Sequence, residues 1–255
     1  MSVAAKPASL AAALRACEIV DLTVTIAEDL PCSWPTHMPF QHKAFHIDAS
    51  YATRWLLMDE HTGTHFDAPS HFITEDGEAG WSTDLVPLEQ LFGPAAVVDV
   101  SDLAGTGEPG TSPRIDADRL AAWESEHGCF EENEIVLLRG DWDERYRPGQ
   151  DGFPYAADAL VSHSGPGWPS PTAEAIEHLL ARGVRCVGTD GVSIGAAEDG
   201  EPAHTAGLAA GMVFVEALCN LAQLPPRGAL FLFLPIKVRD GTGGPGRAVA
   251  FVQPR

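Results

Sequence analysis

The chain carries, at residues 61–71, the stretch His-Thr-Gly-Thr-His-Phe-Asp-Ala-Pro-Ser-His. This stretch holds three imidazoles and one carboxylate, at His61, His65, Asp67 and His71. Neutral imidazole nitrogen and carboxylate oxygen are ligands that zinc, manganese and iron accept, and a catalytic metal site leaves one position open for water. We therefore predict that this stretch helps to bind at least one divalent ion.

The spacing of the histidines excludes a fully extended conformation. Four residues of strand would separate His61 from His65 by about 13 Å, whereas two imidazoles on one ion each lie about 2.1 Å from it. The chain must therefore bend between them, and Gly63 permits a bend because it lacks a Cβ. A helix is disfavoured because residues 62–64 have low helix propensity and Pro69 breaks helices. The cluster is therefore predicted on a strand end and loop.

Length and composition are typical of a folded chain with a sizeable core. The chain has 255 residues, of which 45% are hydrophobic, and it contains no evident linker or internal repeat. An alanine-rich segment precedes the first strand-like run. We predict a helical extension over residues 1–17 and a single domain over residues 18–255.

The charge and the cysteines limit the classes of partner. A formal net charge of −20 opposes binding to nucleic-acid phosphates and to anionic lipid surfaces, so neither partner is predicted. No apolar segment has the length needed to cross a bilayer. Five cysteines without close pairs are typical of reduced thiols, so the expected location is the cytoplasm.

Strands dominate the predicted secondary structure. Alternating or β-branched apolar runs indicate a strand at each of the following positions. They are residues 18–26, 54–60, 95–100, 134–139, 184–188, 212–218, 230–235 and 248–252.

Helices are few. Amphipathic patterns predict helices over residues 116–127 and 171–182, and a weaker pattern predicts one over residues 201–210. Ser170 is the expected N-cap of the second helix, with Pro171 at its first position. Many strands with few helices indicate a mixed α/β fold with a barrel-like or layered sheet, rather than a doubly wound one.

The stretch 61–71 resembles the signature of a family of metal-dependent "cyclases" that includes bacterial kynurenine formamidases, isatin hydrolases and a trans-dienelactone hydrolase. That signature, His-x-Gly-Thr-His-x-Asp-x-Pro-x-His, is met at every fixed position. Further similarity lies at Asp21-Leu22-Thr23, Trp34-Pro35, Gly188-Thr189-Asp190, 234–237 and 247–250. The resemblance implies a swivelling β/β/α fold with a mixed, barrel-like sheet.

The resemblance also implies a site for one or two divalent ions, either zinc or manganese. His61, His65 and Asp67 would bind the first ion, and Asp67 would bridge to a second ion held by His204 and Glu216. His204 is expected in a loop. Glu216 lies within an apolar run, where a carboxylate is costly unless it is paired or metal-bound.

Two further roles follow from the resemblance. His71 would be the general base, because Pro69 directs the chain away from the ligands, and Trp34 would contact the substrate. The implied reaction is hydrolysis, by a metal-activated water, of a small aryl formamide, a lactam or a lactone. The expected partners are therefore a small carbonyl substrate and, because members of the family associate, further copies in a homodimer or homotetramer.

The chain departs from the family pattern at two places. The family motif Asp-x-x-Ser-x-Asp is represented here by Asp190-Gly-Val-Ser-Ile-Gly195, which lacks the last carboxylate. The region 140–169 is longer and richer in aromatic residues than in the short formamidases. Its aromatic residues, which either line a pocket for a planar ring or pack in the ordinary way, are Trp142, Tyr146, Phe153, Tyr155 and Trp168.

Two alternative functions remain open at this point. Gly191-Val-Ser193-Ile-Gly195 matches the Gly-x-Ser-x-Gly elbow of serine hydrolases, although the elbow must open a helix and residues 196–202 interrupt one. The second alternative is an inactive metal-binding protein, which would be expected to lack a ligand or the base. Sensitivity to chelators but not to serine-directed reagents would exclude the first alternative, and turnover would exclude the second.

Overall fold

Seven strands close into a barrel in the computed structural model, which describes residues 9–44, 51–74 and 80–254. The strands of the described residues are β1 (Glu18–Asp21), β2 (Gln41–Ala44), β3 (Arg54–Leu57), β4 (His65–Asp67), β5 (Phe92–Asp99), β6 (Arg114–Ile115), β7 (Ile135–Arg139), β8 (Ser170–Pro171), β9 (Cys186–Thr189), β10 (Val213–Glu216), β11 (Arg227–Pro235) and β12 (Gly243–Val252). Their order around the barrel is β12-β11-β5-β7-β9-β10-β4, and β4 closes it by pairing with β12. The predicted mixed α/β fold with a barrel-like sheet is confirmed.

The barrel is mixed in direction. Strands β5, β7, β9 and β10 run parallel, whereas β4, β11 and β12 are antiparallel to their neighbours. Closure through β4 sets the register of two strands that are distant in sequence, because His65 lies opposite Glu216 on β10 and opposite Pro245 on β12. The barrel seam therefore brings residues 65–67 beside the end of β10.

The described residues form five α-helices. They are α1 (Leu10–Arg15), α2 (Ala117–His127), α3 (Ala157–Leu160), α4 (Ala173–Ala181) and α5 (Glu201–Leu208). Of these, α2, α4 and α5 pack against the outer face of the barrel. The helices predicted over residues 116–127 and 201–210 are confirmed. The predicted start of the helix over residues 171–182 is wrong, because Ser170 and Pro171 form β8 and Thr172 is the N-cap, accepting from the backbone of Ala175. Pairing of β8 with β6 holds Pro171 extended and delays the helix.

The central strands of the barrel are continuous hydrophobic runs in the sequence, because apolar side chains pack on both of their faces. On β7, Leu137 packs inside the barrel with Phe66 and Phe231. Its neighbours on the same strand, Val136 and Leu138, pack in the outer cluster that includes residues of α2, α4 and α5. Because both faces of the strand are covered, alternation between polar and apolar residues disappears.

Three predicted strands are shorter than the sequence indicated, including that over residues 212–218, which forms only β10. The strand predicted over residues 18–26 ends at Asp21, because Val24 donates its backbone N–H to the Thr64 hydroxyl (3.0 Å) rather than to a neighbouring strand. The strand predicted over residues 54–60 ends at Leu57 and pairs with β2 in a separate two-stranded sheet. The difference at Asp21 arises from a contact with the turn before β4.

The N-terminal region is described only from residue 9 onward. Within it, α1 carries no buried residue, and residues 1–8 of the predicted extension lie outside the described part. The division of the chain after residue 17 stays a prediction. Among residues 9–44, 51–74 and 80–254, no helix combines the length and the hydropathy needed to span a bilayer.

A buried carboxylate joins α2 to α4. Glu124 accepts hydrogen bonds from the Arg182 guanidinium (2.8 Å), the backbone of Phe130 (3.0 Å) and His178 Nε2 (2.8 Å). Burial alone would raise the pKa of Glu124, but these three partners outweigh it and lower that pKa from 4.5 to about 2. Ionised Glu124 therefore stabilises the packing of the two helices.

We expect Glu124→Gln to lower the free energy of unfolding at pH 7 by about 1–3 kcal/mol, because the amide cannot replace a charged acceptor. A depressed folded-state pKa stabilises the fold above the unfolded value of 4.5, and this contribution is lost as the pH falls towards about 2. Urea unfolding at pH 7 and pH 3 should show the difference between the variant and wild type shrinking. Glu126→Gln, on the exposed face of α2, is the control and should change little at either pH.

Candidate active site

A tight turn and a short strand present the residues of the stretch 61–71. Gly63 adopts φ +62°, and a Cβ there would lie 2.8 Å from Ile26 Cγ1, so the turn requires glycine. β4 then carries His65 and Asp67, and a 3₁₀ turn over Pro69–His71 follows it. The predicted bend at Gly63 and the predicted placement at a strand end and loop are confirmed.

Asp67 lies between three imidazoles and uses both of its oxygens. Oδ1 lies 2.8 Å from His61 Nδ1 and 3.5 Å from His65 Nε2, whereas Oδ2 lies 3.3 Å from His204 Nε2. The carboxylate is 1% exposed. One oxygen therefore faces the histidines of the turn and β4, and the other faces the histidine of α5.

Glu216, at the end of β10, completes the cluster. Its Oε1 lies 3.3 Å from His204 Nε2 and its Oε2 lies 3.4 Å from His65 Nε2. The Ser193 hydroxyl (3.0 Å) and the Ile194 backbone (2.7 Å) donate hydrogen bonds to Oε1 and fix the carboxylate. His204 lies inside α5, so its predicted loop position is wrong, although the helix brings its ring to the same cluster.

Each imidazole of His61, His65 and His204 has one ring nitrogen that faces away from the carboxylates. That nitrogen donates a hydrogen bond to an oxygen. Nδ1 of His65 donates to the Gly63 carbonyl (2.8 Å), and Nδ1 of His204 donates to the Gly200 carbonyl (2.7 Å). For His61 the partner is the Thr242 hydroxyl, 3.0 Å from Nε2. In these tautomers the remaining nitrogen of each ring presents a lone pair to the carboxylates.

The hydroxyl of Thr242 is itself oriented. It donates to Glu60 Oε2 (2.9 Å), which also accepts from the Thr242 backbone (2.8 Å), so its oxygen is free to accept from His61. Glu60 and Thr242 were not singled out from the sequence. They are separated by 182 residues, and no local pattern links them.

This arrangement fits a divalent cation. Lone pairs that face two buried carboxylates repel them unless positive charge lies between, and Asp67 Oδ2 is a buried oxygen without a hydrogen-bond partner among the described residues. Two ligands of one tetrahedral ion lie about 3.4 Å apart. Four of the separations between imidazole nitrogens and carboxylate oxygens are close to this value, at 3.3–3.5 Å, whereas His61 Nδ1 lies at a hydrogen-bond distance of 2.8 Å from Asp67 Oδ1. The described residues offer two overlapping ligand groups that share Asp67, namely His61-His65-Asp67 and Asp67-His204-Glu216.

The pKa values also indicate that the two buried carboxylates require positive charge beside them. Burial lowers the pKa of His65 and of His204, but Asp67 and Glu216 outweigh it and raise both pKa values to about 10. Burial raises the pKa of Asp67, yet the surrounding imidazoles hold it well below its usual range. Without a cation, protons on the imidazoles compensate the carboxylates, and a bound ion would displace those protons.

His71 lies beside this cluster but outside both ligand groups. Its ring centroid is 4.0 Å from that of His61 and 6.1 Å from that of His204. Burial, together with the positive charge of the neighbouring imidazoles, lowers the pKa of His71 below 6.5. A neutral imidazole at this position can accept a proton.

A cavity of about 260 Å³ opens onto the cluster. Side chains of the cluster form one part of its lining, and aromatic and small apolar side chains form much of the rest. Trp34 lines it and packs edge-on against Trp168, with ring centroids 6.3 Å apart. Trp34, the residue predicted to contact a substrate, thus lines the cavity beside the cluster.

The structure separates the aromatic residues of the region 140–169 into three groups. Tyr146 and Tyr155 line the cavity. Trp142 and Trp168 are fully buried beneath them, and Phe153 is 51% exposed outside the cavity. Both interpretations of this region, pocket and ordinary packing, therefore hold for part of it.

Close packing explains why position 195 is a glycine. A Cβ at this position would lie 2.5 Å from Gly200 Cα and 2.8 Å from His204 Cε1. The segment between Gly195 and Gly200 therefore folds closely over His204, and a larger residue would displace it. This close approach leaves no room for a side chain at position 195, where the resemblance predicts a carboxylate.

Ser193 belongs to the cluster but does not lie on a nucleophile elbow. Residues 191–200 form turns and bends, and α5 begins only at Glu201. The Ser193 hydroxyl donates to Glu216 and lies 3.5 Å from His204 Nε2. Ser193 therefore orients the Glu216 carboxylate. This role disfavours the serine-hydrolase alternative.

A closed barrel that presents three histidines, two carboxylates and a further histidine at a cavity defines a candidate metallohydrolase. The family model described as "Putative cyclase" matches residues 20–196. The chain belongs to this family.

Individual relatives agree with this assignment. The chain is 35% identical over 252 residues to the isatin hydrolase of Roseibium aggregatum, covering 92% of each chain. It is 30% identical to the kynurenine formamidase of Erythrobacter litoralis, covering 91% of this chain and 92% of the relative.

Solved structures extend the similarity to the whole fold. Isatin hydrolase A from Ralstonia solanacearum matches with a TM-score of 0.82 and 32% identity, covering 98% of this chain and 100% of that one. A structure described as a potential metal-dependent hydrolase with cyclase activity matches with a TM-score of 0.67 and 25% identity, covering 94% of this chain and 100% of that one.

Proposed function

We propose that the protein is a metal-dependent hydrolase that acts on the C–N bond of a small aryl formamide or lactam. The observation that carries the proposal is the pair of buried carboxylates faced by the lone pairs of three oriented imidazoles. Relatives named isatin hydrolase and kynurenine formamidase support an amide substrate. They give no support to the lactone alternative.

The proposed ligands follow the two groups that share Asp67. His61, His65 and Asp67 would hold one ion, and Asp67, His204 and Glu216 would hold the other when two are bound. A bound divalent ion polarises a carbonyl group and makes water acidic enough to lose a proton near neutral pH. The mixed nitrogen and oxygen donors suit zinc or manganese.

His71 is the proposed general base. Its ring lies beside His61 and lines the cavity, within the space where water and substrate would meet. A ring nitrogen of His71 takes a proton from the attacking water while the oxygen adds to the amide carbon. The C–N bond then breaks, the same nitrogen returns the proton to the leaving amine, and the products are a carboxylic acid and an amine, which stay joined when the substrate is a lactam.

Trp34 is the proposed contact for the aromatic ring of the substrate. It lines the cavity, and its indole packs edge-on against Trp168. An offset or edge-on contact between aromatic rings contributes about 0.5–1.5 kcal/mol. The cavity of about 260 Å³ suits a bicyclic lactam or a single substituted ring.

Activity measurements after metal exchange test the proposal. Purified protein would be stripped with a chelator, reloaded with zinc or manganese, and assayed for hydrolysis of isatin and formanilide. We expect activity only in the reloaded samples and no inhibition by phenylmethylsulfonyl fluoride. Full activity in the stripped protein, or inactivation by the serine reagent, would contradict the proposal; a metal-loaded protein without any turnover would favour the inactive alternative.

The hydrogen bond from His61 to Thr242 gives a separate prediction. We expect Thr242→Val to weaken metal binding about 10- to 100-fold, because it removes the acceptor that fixes the His61 tautomer. Titration with a metal indicator would measure the affinity. Thr242→Ser keeps the hydroxyl and should restore it, and equal weakening by both substitutions would contradict the role of the hydroxyl.

The assembly and the location are also proposals. Apolar side chains lie exposed near the C-terminal strands and the segment before β5, including Leu234 (50% exposed), Leu88 (57%) and Phe92 (47%). Such a patch supports a homodimer or homotetramer. The five cysteines are free thiols, which supports a reducing compartment such as the cytoplasm.

A further inference from the structure

The two-stranded sheet formed by β2 and β3 is separate from the barrel. It is called the outer sheet below, residues 41–44 and 54–57, and among the described residues its strands pair only with each other. Every residue of β3 is exposed. An isolated pair of strands is marginally stable in water, so such a sheet normally needs a further surface to pack against.

The exposed side chains of β3 are mostly apolar. Trp55 is 65% exposed, Leu56 is 59% exposed and Leu57 is 51% exposed. Because successive residues of a strand point to opposite faces of a sheet, Leu56 lies on one face of the outer sheet and the other two lie on the opposite face. Both faces of β3 therefore present apolar surface to water.

The outer edge of β3 is open. Antiparallel partners alternate between pairs that exchange two backbone hydrogen bonds and pairs that exchange none. His42 lies opposite Leu56, and its backbone N–H donates to Glu28 Oε1 (2.9 Å) instead. His42 and Leu56 are therefore a pair of the second kind, so the N–H and C=O of Leu56 point away from β2. Natural proteins normally cover such an edge or place charges on it.

The outer sheet differs in charge from the rest of the chain. It carries Lys43 and Arg54, both exposed, and no carboxylate, whereas the whole chain has a formal net charge of −20. Opposite charges across an interface attract each other and orient the partners. A carboxylate-rich surface is therefore the complementary partner, and a second copy of this chain provides one. The same net charge opposes nucleic acid and anionic lipid.

The exposed apolar area near the outer sheet is large enough for a specific contact. Five large side chains contribute to it, and each is at least half exposed. They are Met38, Tyr51, Trp55, Leu56 and Leu57. With about 150–250 Å² for the full surface of a large side chain, they expose roughly 500 Å² per copy. Two copies would bury about 1,000 Å² through these side chains alone, which is the size expected of a biological interface.

The outer sheet is also connected at its base to the active-site cavity. His37 precedes β2 and lines the cavity, and its Nδ1 lies 3.1 Å from Oδ2 of Asp59, which follows β3. Asp59 Oδ1 accepts a hydrogen bond from the His61 backbone (2.9 Å). A partner on the outer sheet would therefore contact the segment that joins the cavity wall to the first proposed metal ligand.

We propose that the outer sheet is the surface through which two copies of this chain associate. In a two-fold pair, the outer sheet of each copy packs on the other copy. The apolar faces and the open edge of β3 are covered in the pair, and Lys43 and Arg54 face carboxylates of the second copy. This inference rests on the assembly proposed above and names its surface, but it does not depend on the proposed reaction.

Reversal of the two cations tests this surface without removing apolar side chains. Lys43→Glu combined with Arg54→Glu would be compared with Lys237→Glu combined with Arg239→Glu, which makes the same change in net charge on the exposed segment after β11. The molar mass of the full-length, metal-loaded proteins would be measured by sedimentation over a dilution series. We expect wild type to be dimeric or larger and the control to match it. The outer-sheet variant should have a dissociation constant raised about 10-fold or more.

A second pair of variants tests the open edge of β3. Leu56→Asp places a charge on that edge, and Leu234→Asp places one on β11, where the native side chain is 50% exposed. Because both native side chains are exposed, neither substitution should unfold the chain, which circular dichroism would verify. We expect Leu56→Asp to lower the molar mass and Leu234→Asp to leave it unchanged.

Three outcomes would overturn the inference. The first is a wild type that stays monomeric at every concentration, and binding of that monomer to phosphatidylglycerol vesicles would identify an anionic membrane as the occupant instead. The second is an unchanged mass in either outer-sheet variant, with or without dissociation of the controls. The third is equal weakening by the two charge-reversed variants, which would indicate general charge repulsion. None of these measurements uses a substrate, so a failure of the proposed reaction would leave the test intact.

Discussion

Replacing Asp67 by alanine is expected to remove both the metal and the activity. Asp67 is shared by the two ligand groups, with Oδ1 facing His61 and His65 and Oδ2 facing His204. Its loss would deprive each proposed ion of a ligand, so hydrolysis should fall to the uncatalysed rate. Elemental analysis and kcat/KM, measured on the same preparation, would show both losses together.

Two controls separate this effect from misfolding. Asp67→Asn keeps the side-chain volume and removes the charge, and it should also bind metal poorly. Both variants are expected to be less stable than metal-free wild type, because the imidazoles that hold the pKa of Asp67 well below its usual range lose their charged partner. Circular dichroism and urea unfolding would establish that each variant is folded before its metal content is compared. Retention of stoichiometric metal in Asp67→Ala would show that the ligand assignment is wrong.

Replacing His71 by alanine is expected to lower kcat by about 10²–10⁴ and to leave the metal content nearly unchanged. The imidazole lies 4.0 Å from the His61 ring but outside both ligand groups. The substitution therefore removes a proton acceptor and no ligand. Steady-state kinetics and metal stoichiometry, measured in parallel with Asp67→Ala, would distinguish a base from a ligand.

His127→Ala is the matched control. His127 lies at the end of α2, where its ring contacts Trp123, and it does not line the cavity. Its replacement should leave kcat unchanged. If His71→Ala empties the site as thoroughly as Asp67→Ala, His71 is a ligand and its assignment as the base fails.

Local sequence features predicted much of the fold correctly. The helix predicted over residues 116–127 forms as α2, and the buried strands β5, β7, β9, β10, β11 and β12 overlap the predicted apolar runs. Predictions failed where a distant contact decides the local structure. Pairing with β6 draws Ser170 and Pro171 into a strand, and the Thr64 hydroxyl draws Val24 out of one.

The candidate site shows the same division. The residues of the stretch 61–71 and the bend at Gly63 could be predicted from spacing alone, because ligand geometry constrains neighbours in sequence. His204 and Glu216 were named only through the resemblance to a family. Their approach to Asp67 depends on the seam between β4 and β10, which no local pattern specifies.

The sequence by itself determined the donor chemistry of the site, the turn that presents it and the mixed α/β class. Tertiary structure decided which nitrogen of each imidazole faces the carboxylates, and that Thr242 and Glu60 orient His61. Side-chain type and spacing are local properties. Hydrogen-bond partners and burial arise when the barrel closes and joins segments far apart in the chain.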